Sequence, residues 1–285
     1  MTFSKGVEIS ALPGLRVLSV VKDLVLASKF LEDALQVPVV KRFRDGSVHG
    51  DLYAFGAGEL LLVQPMSDDG PVASFLNANG PGVLAFGGVE DVAHETSQRL
   101  SEDGALSAYS LLSLPDIGIS LFSGPHTSSA SIDQRVPVSI DHVAYVVDDL
   151  DKPSETIGSI LGVAESDAIG RWSFPSFEIV DAVLLFDGSY IELNRPTSAA
   201  GPFGGALAKR GPSSVFLCLR ADDMRETIAR LELFGFGAPA GQKISGIAPD
   251  GSAGELGTVY AVSKKATQGM PIMLLDGDWP WRLLR

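Results

Sequence analysis

An imidazole and a carboxylate on one face of a sheet can move a proton between them, and this chain offers such a pair in His142 and Glu192. His142 lies in Ile140-Asp141-His142-Val143-Ala144-Tyr145-Val146-Val147, and Glu192 in Tyr190-Ile191-Glu192-Leu193-Asn194. Both segments read as strands, whose period of two sorts residues onto opposite faces. Val143, Tyr145, Val147, Ile191 and Leu193 make apolar faces suited to packing on helices. His142, Tyr190, Glu192 and Asn194 then point the other way together, a convergence of polar groups suited to a binding site. The same donor types also suit a divalent transition metal.

The elements that must hold these residues repeat. Four times a short apolar run ends in Asp, and an apolar residue and a helical pattern follow, at Asp23, Asp91, Asp149 and Asp223. The interval of about 60 to 75 residues is that of one supersecondary unit. Each Asp is placed to cap a helix, accepting from free backbone N–H groups at the positive end of the helix dipole. Apolar stripes follow: Leu24, Phe30, Leu31 and Leu35 in the first unit, and Met224, Ile228, Leu231 and Phe234 in the fourth. Strand-like stretches come next, with Asp187-Gly188 as a hairpin turn in the third unit. The unit reads βαβββ, most weakly in the second, where Val92 to Leu100 is polar for a buried helix.

The first and third units align at one offset, Val21-Lys22-Asp23-Leu24 on Val147-Asp148-Asp149-Leu150. Leu61 to Pro65 corresponds to Glu192 to Pro196. The fold class expected is α+β, with four βαβββ modules in two paired-module halves, each a cupped sheet. The halves are read as residues 1–134 and 135–285, the second carrying the candidate site. The Ser-rich stretch 126–138 serves as linker, and Gly201 to Pro212 reads as a loop.

Composition bounds the function. The 285 residues carry a net charge of −13, which disfavours nucleic acid and anionic membrane surfaces as partners. The apolar fraction of 45% is ample for a core, yet no run reaches the roughly 20 residues that span a bilayer. No basic segment leads into a long apolar stretch, so a signal peptide is not expected and the reading is cytoplasmic. The lone cysteine, Cys218, reads as a buried inert thiol.

The strands around His142 and Glu192, together with Asp222-Asp223-Met224 through Leu231, resemble the vicinal oxygen chelate superfamily. That group includes glyoxalase I, methylmalonyl-CoA epimerase, extradiol dioxygenases and bleomycin resistance proteins. The resemblance implies paired modules curled into a cup, with metal ligands on first and last strands. His142 and Glu192 stand at those positions. Phe216 and Met273 stand at the matching positions of the fourth unit, and Arg16 and Leu61 at those of the first. A divalent metal is therefore implied by the resemblance, but its ligand set is incomplete. Three readings stay open: an acid–base pair without metal, a metal completed by a loop ligand such as His126, or polar groups satisfied within a binding cavity.

Phe216 and Met273 are candidates for an apolar substrate wall, with core packing as the plainer alternative. Arg171 and Trp172, before a strand, are candidates to gate the cup, with ordinary surface as the plainer alternative. The leading expectation is a lyase, isomerase or hydrolase that uses His142 and Glu192 on a small, largely apolar oxygenated metabolite. An extradiol-type dioxygenase and a non-catalytic sequestering protein are the alternatives. The expected partner is a small molecule, and a homo-oligomer is left open.

Overall fold

The computed structural model describes residues 15–56, 58–87, 97–102, 104–125, 136–161, 168–186 and 189–277. Asp91, His94, His126, Asp187-Gly188 and Trp279 to Trp281 lie outside them.

The first unit runs β1 (Arg16–Val20), α1 (Leu24–Lys29), β2 (Val39–Asp45), β3 (Val48–Phe55) and β4 (Gly58–Pro65). A π-helical turn, Phe30–Ala34, continues α1. After α2 (Pro71–Asn79), the second unit contributes β5 (Gly82–Gly87), β6 (Gln98–Arg99), β7 (Ser110–Leu114) and β8 (Ile119–Ser123). The third comprises β9 (Val138–Val146), α3 (Asp151–Leu161), β10 (Ala168–Phe174), β11 (Ile179–Phe186) and β12 (Ser189–Pro196). Following α4 (Pro202–Arg210), the fourth comprises β13 (Ser213–Ala221), α5 (Met224–Leu233), β14 (Gly241–Ile247), β15 (Ala253–Ala261) and β16 (Ile272–Asp276).

The caps follow from local chemistry. Asp23 accepts from the Leu26 N–H, Asp149 from those of Asp151 and Lys152, and Asp223 from that of Glu226. Each capping carboxylate removes orphan donors from a first helical turn.

Three expectations need correction. Gly201 to Pro212 contains α4, with Pro202 in the first turn where its missing N–H costs nothing. Glycines at 201, 204, 205 and 211 suggested a loop, but they bracket and line a tightly packed helix: a Cβ on Gly204 would fall 2.1 Å from the Ser198 carbonyl oxygen. In the second unit, Gln98–Arg99 is a short strand paired to β7, so a helix cannot run through to Leu100. Phe234 also leaves the expected apolar stripe. It ends α5 as an exposed cap residue, while Thr227 and Arg230 are buried on the inner face.

The first two units form an open eight-stranded sheet, ordered β2-β3-β4-β1-β5-β8-β7-β6. The last two form a closed barrel, ordered β10-β11-β12-β9-β13-β16-β15-β14. The fold is thus α+β, with curled sheets built from paired modules. In each, the first strand of one module lies antiparallel to that of the next, β1 on β5 and β9 on β13.

One apolar core joins the two sheets, drawing Val17, Phe86, Val143, Tyr145, Leu193 and Leu217 together. Phe86 meets Tyr145 edge-on, with ring centroids 5.8 Å apart. The Arg230 Nε donates to the Ala34 carbonyl at 3.1 Å, and the Ser214 hydroxyl donates to the Val83 carbonyl at 2.6 Å. Val143, Tyr145, Ile191 and Leu193 all take the core face, so His142 and Glu192 face into the barrel. The register expected from the period of two therefore holds.

Candidate active site inside the barrel

β9 and β12 pair in parallel, placing His142 beside Tyr190 and Ala144 beside Glu192. β9 also pairs antiparallel with β13, which sets Cys218 across from His142. These two ladders bring three polar side chains to one end of a cavity of about 140 Å³. His142, Glu192 and Asn194 line it, and the rest of the lining is largely apolar. Phe203, at the start of α4, stacks edge-on between Phe177 and Phe216, with centroids 6.2 and 5.9 Å away. Phe174, Met273 and Leu275 continue the wall.

The expected polar-lined cup is thus an apolar chamber with one polar end, comparable in volume to a cavity that admits a benzene-sized molecule. Larger and more open clefts lie elsewhere, against the first sheet. Tyr190 and Trp172 do not line the chamber. Both pack among the side chains that form its wall, Tyr190 fully and Trp172 partly buried.

His142 is held from both sides. Its Nδ1 lies 2.8 Å from Asp141 Oδ1, and its Nε2 lies 3.4 Å from Glu192 Oε2. Asn194 Nδ2 donates to the same Glu192 oxygen at 3.1 Å. Behind Asp141, the Arg220 guanidinium approaches its second oxygen at 3.6 Å. Burial works to strip the proton from His142, but contact with Cys218 and the hydrogen bonds of Asp141 and Glu192 outweigh it. The imidazole therefore holds its proton well above the ordinary histidine range. Burial pushes Glu192 up, yet the His142 pairing and the Asn194 bond win, so it stays ionised below its usual range. Burial pushes the Cys218 thiol up, against the pull of the neighbouring imidazole.

Asp181, on β11 directly across from Asn194, was not singled out in the sequence. It is fully buried, and its Oδ1 accepts from the Trp172 N–H at 2.9 Å. Burial and the nearby Glu192 charge push its carboxyl well above the usual range, opposite in direction to Glu192. Its signal was present in the sequence: an acidic residue within the otherwise apolar run Ile179 to Phe186 is costly unless it is matched. Cys218 is buried in an apolar cluster, as expected of the lone cysteine, and it also lines the chamber beside His142.

The donor set does not fit a three-ligand metal centre. Ala144 pairs with Glu192 in the third unit and Cys218 with Met273 in the fourth, so Met273 holds the position equivalent to Glu192. By the same register Phe216 matches His142. Among the described residues, no three His, Cys, Asp or Glu side chains converge on one point where a metal ion could sit. His126, the suggested loop ligand, lies outside them.

Residues 141–249 match the family model described as the Glyoxalase/Bleomycin resistance protein/Dioxygenase superfamily. No curated protein matches the chain. Among solved structures, a mutant of 4-hydroxymandelate synthase from Streptomyces coelicolor is 15% identical, with 92% of each chain covered and a TM-score of 0.60. Methylmalonyl-CoA epimerase from Mycobacterium tuberculosis is 20% identical, covering 54% of this chain and 98% of its own, with a TM-score of 0.41. The first likeness establishes a shared fold over nearly the whole chain, and neither carries a reaction across. The resemblance read in the sequence holds: through residues 141–249 the chain carries the signature of the vicinal oxygen chelate superfamily.

Proposed function

We propose that the barrel is a proton-transfer site for a small, largely apolar oxygenated metabolite. The observation that carries this reading is the charged His142–Glu192 pair, buried at the only polar end of the chamber. Glu192, ionised, accepts a proton from the substrate carbon beside a carbonyl. His142, protonated and oriented through Asp141, donates to the carbonyl oxygen, so an enol forms without net charge. Returning the proton to carbon gives an isomerase. Expelling a leaving group from the enol gives a lyase; alternatively, Glu192 takes a proton from a water that adds to an acyl carbon while His142 protonates the departing group, which gives a hydrolase. Asn194 fixes Glu192, and Phe203, Phe216 and Met273 exclude water around the apolar part of the substrate. A cytoplasmic setting belongs to the same reading. Residues 1–134 act as scaffold and residues 135–285 as the reactive half.

The test is solvent-deuterium exchange. A panel of small apolar ketones and aldehydes is incubated with protein in D₂O and followed by NMR. The expected result is enzyme-dependent exchange at the carbon beside the carbonyl for at least one compound, lost in Glu192→Gln. Binding without exchange or turnover across the panel would favour a sequestering protein. Stoichiometric iron in protein purified without added metal, lost in His142→Ala, would restore the dioxygenase reading.

A further inference from the structure

The barrel holds a buried carboxyl that the proposed chemistry does not use. Asp181 sits on β11, and the antiparallel ladder with β12 sets it across from Asn194, and Val183 across from Glu192. Asp181 is therefore one diagonal step from Glu192, and the period of two puts 181 and 183 on the face shared by 192 and 194. The residue is 0% exposed. Its Oδ1 accepts from the Trp172 N–H at 2.9 Å, which ties it to β10 as well. The carboxyls of Asp181 and Glu192 lie within hydrogen-bond reach of each other.

Two buried carboxyls in contact cannot both ionise cheaply, and a single proton between them turns repulsion into a hydrogen bond. Their surroundings decide which one keeps it. Glu192 Oε2 already takes the Asn194 Nδ2 donor at 3.1 Å and faces the His142 Nε2 at 3.4 Å, and both favour its ionised form. Asp181 has a neutral backbone donor on Oδ1, and its Oδ2 meets no donor among the described residues. An ionised Oδ2 would be a buried acceptor with nothing to accept. A protonated Oδ2 is itself a donor, with Glu192 in reach. The opposite displacements of the two groups agree: burial and Glu192 push Asp181 up, while the His142, Asn194 and Asp181 bonds outweigh burial and bring Glu192 down.

We propose that Asp181 is a positioning residue for Glu192: its Oδ2 keeps a proton and donates a hydrogen bond that holds the Glu192 carboxylate in place beside His142. The bonds then run from the β10 backbone through Asp181 on β11 and Glu192 on β12 to His142 and Asp141 on β9, so four neighbouring strands fix the pair. The role of this bond rests on the proton-transfer reading of the barrel, whereas the bond itself does not.

The full chain, labelled with ¹³C at the Asp and Glu carboxyl carbons, is titrated by NMR without substrate. Glu192→Gln and Asp181→Asn identify the two lines. The other titratable groups facing Glu192, His142 on β9 and Cys218 on β13, stay the same throughout. At neutral pH Asp181 is expected uncharged and Glu192 ionised. Asp181→Leu removes the donor and should raise the Glu192 midpoint by at least about one pH unit. Asp181→Asn keeps an N–H donor and should leave the midpoint within about half a unit of the parent. If Asp181 were ionised, either variant would remove a neighbouring negative charge and lower the Glu192 midpoint instead. That fall, an unmoved midpoint in folded Asp181→Leu, or an Asp181 line ionised at neutral pH would each overturn the inference. Should Asp181→Leu not fold, the parent's Asp181 line and the midpoint in Asp181→Asn decide alone. The role is read separately, from solvent-deuterium exchange. Asp181→Leu should slow that exchange at least about tenfold, and Asp181→Asn should recover most of it. Undiminished exchange in folded Asp181→Leu removes the role. Exchange absent from the parent removes the proton-transfer reading, and the role with it, while the bond still stands or falls on the carboxyl spectra.

Discussion

The two sheets are the same device with opposite interiors. Arg16 and His142 occupy matched positions on β1 and β9, Leu61 and Glu192 on β4 and β12, and Phe122 and Met273 on β8 and β16. In the first sheet, Leu18, Leu61, Phe43, Tyr109 and Phe122 fill the concave side. Arg16 is buried there and fully used. It pairs with Glu59 at 2.9 Å, donates to the Gly124 and Pro125 carbonyls, and lies over the Phe122 ring at 5.3 Å. In the barrel, Ala144 replaces Leu18 and Glu192 replaces Leu61, and a chamber remains. Each leucine so buried is worth about 1.5–3 kcal/mol, so the barrel gives up stability where the first sheet gains it. A buried charge is thus tolerable in either half, but at these matched positions the barrel's His142 and Glu192 line a chamber, whereas Arg16 is packed against protein.

The largest expected effect tests the reactive half. Once a substrate is identified, His142→Ala and Glu192→Gln should each lower turnover by about 10²–10⁴-fold, with far-ultraviolet circular dichroism unchanged. Equal turnover in both variants would remove the proton-transfer assignment.

The next effect tests the filled half. Arg16→Ala strands Glu59 in a buried site, and urea denaturation should show about 3–5 kcal/mol lost. A loss below about 1 kcal/mol would mean that solvent reaches the pair, as at a surface salt bridge.

A smaller effect comes from moving one residue between the halves. Met273→Phe copies Phe122 into the barrel. It should change stability by no more than about 1–3 kcal/mol, and weaken any chamber ligand at least about tenfold by calorimetry. Undiminished affinity would place the ligand elsewhere.

The smallest effect is on pH dependence. His142 has a folded-state pKa raised above 6.5, so its stabilisation is complete below that unfolded value and is lost as pH rises through the folded value. Glu192 has the opposite sign: its contribution is present above 4.5 and is lost as pH falls through its depressed folded value. Asp181, raised like His142, adds a loss of the same sign that begins above its ordinary value of 3.8 and runs up to its folded value. Stability measured from neutral to alkaline pH should therefore fall less steeply in His142→Gln than in the parent. Identical slopes would show that His142 titrates normally.

Much of this contrast was legible in the sequence because it is local. Capping by Asp23, Asp149 and Asp223 depends on three or four consecutive residues, and the facing of His142 and Glu192 on a period of two. The alignment of Arg16 with His142 and of Leu61 with Glu192 followed from the repeat, and the strand register agrees with it. What the sequence hid is non-local or runs against propensity. Four glycines concealed α4, and with it the placement of Phe203 over the chamber. Asp181 and Cys218 acquire their meaning only from neighbouring strands, one across from Asn194 and the other across from His142. Nothing in β10 or β14 alone foretells that they meet.

That meeting is slight. β10 and β14 join at a single register pair, Ser173 with Ile247, whereas every other neighbouring pair of strands in the barrel shares at least four. The cylinder behaves mechanically as a strip bent round and fastened at one stitch. Parting that stitch would break fewer ladder pairs than parting any other two strands of the barrel. Beside the stitch, Gly246 leaves no slack, since a Cβ there would lie 2.8 Å from Leu256 and 3.1 Å from Phe174. The barrel is therefore a cylinder whose closure is its slightest ladder and whose seam is packed too tightly to take even one added methyl group.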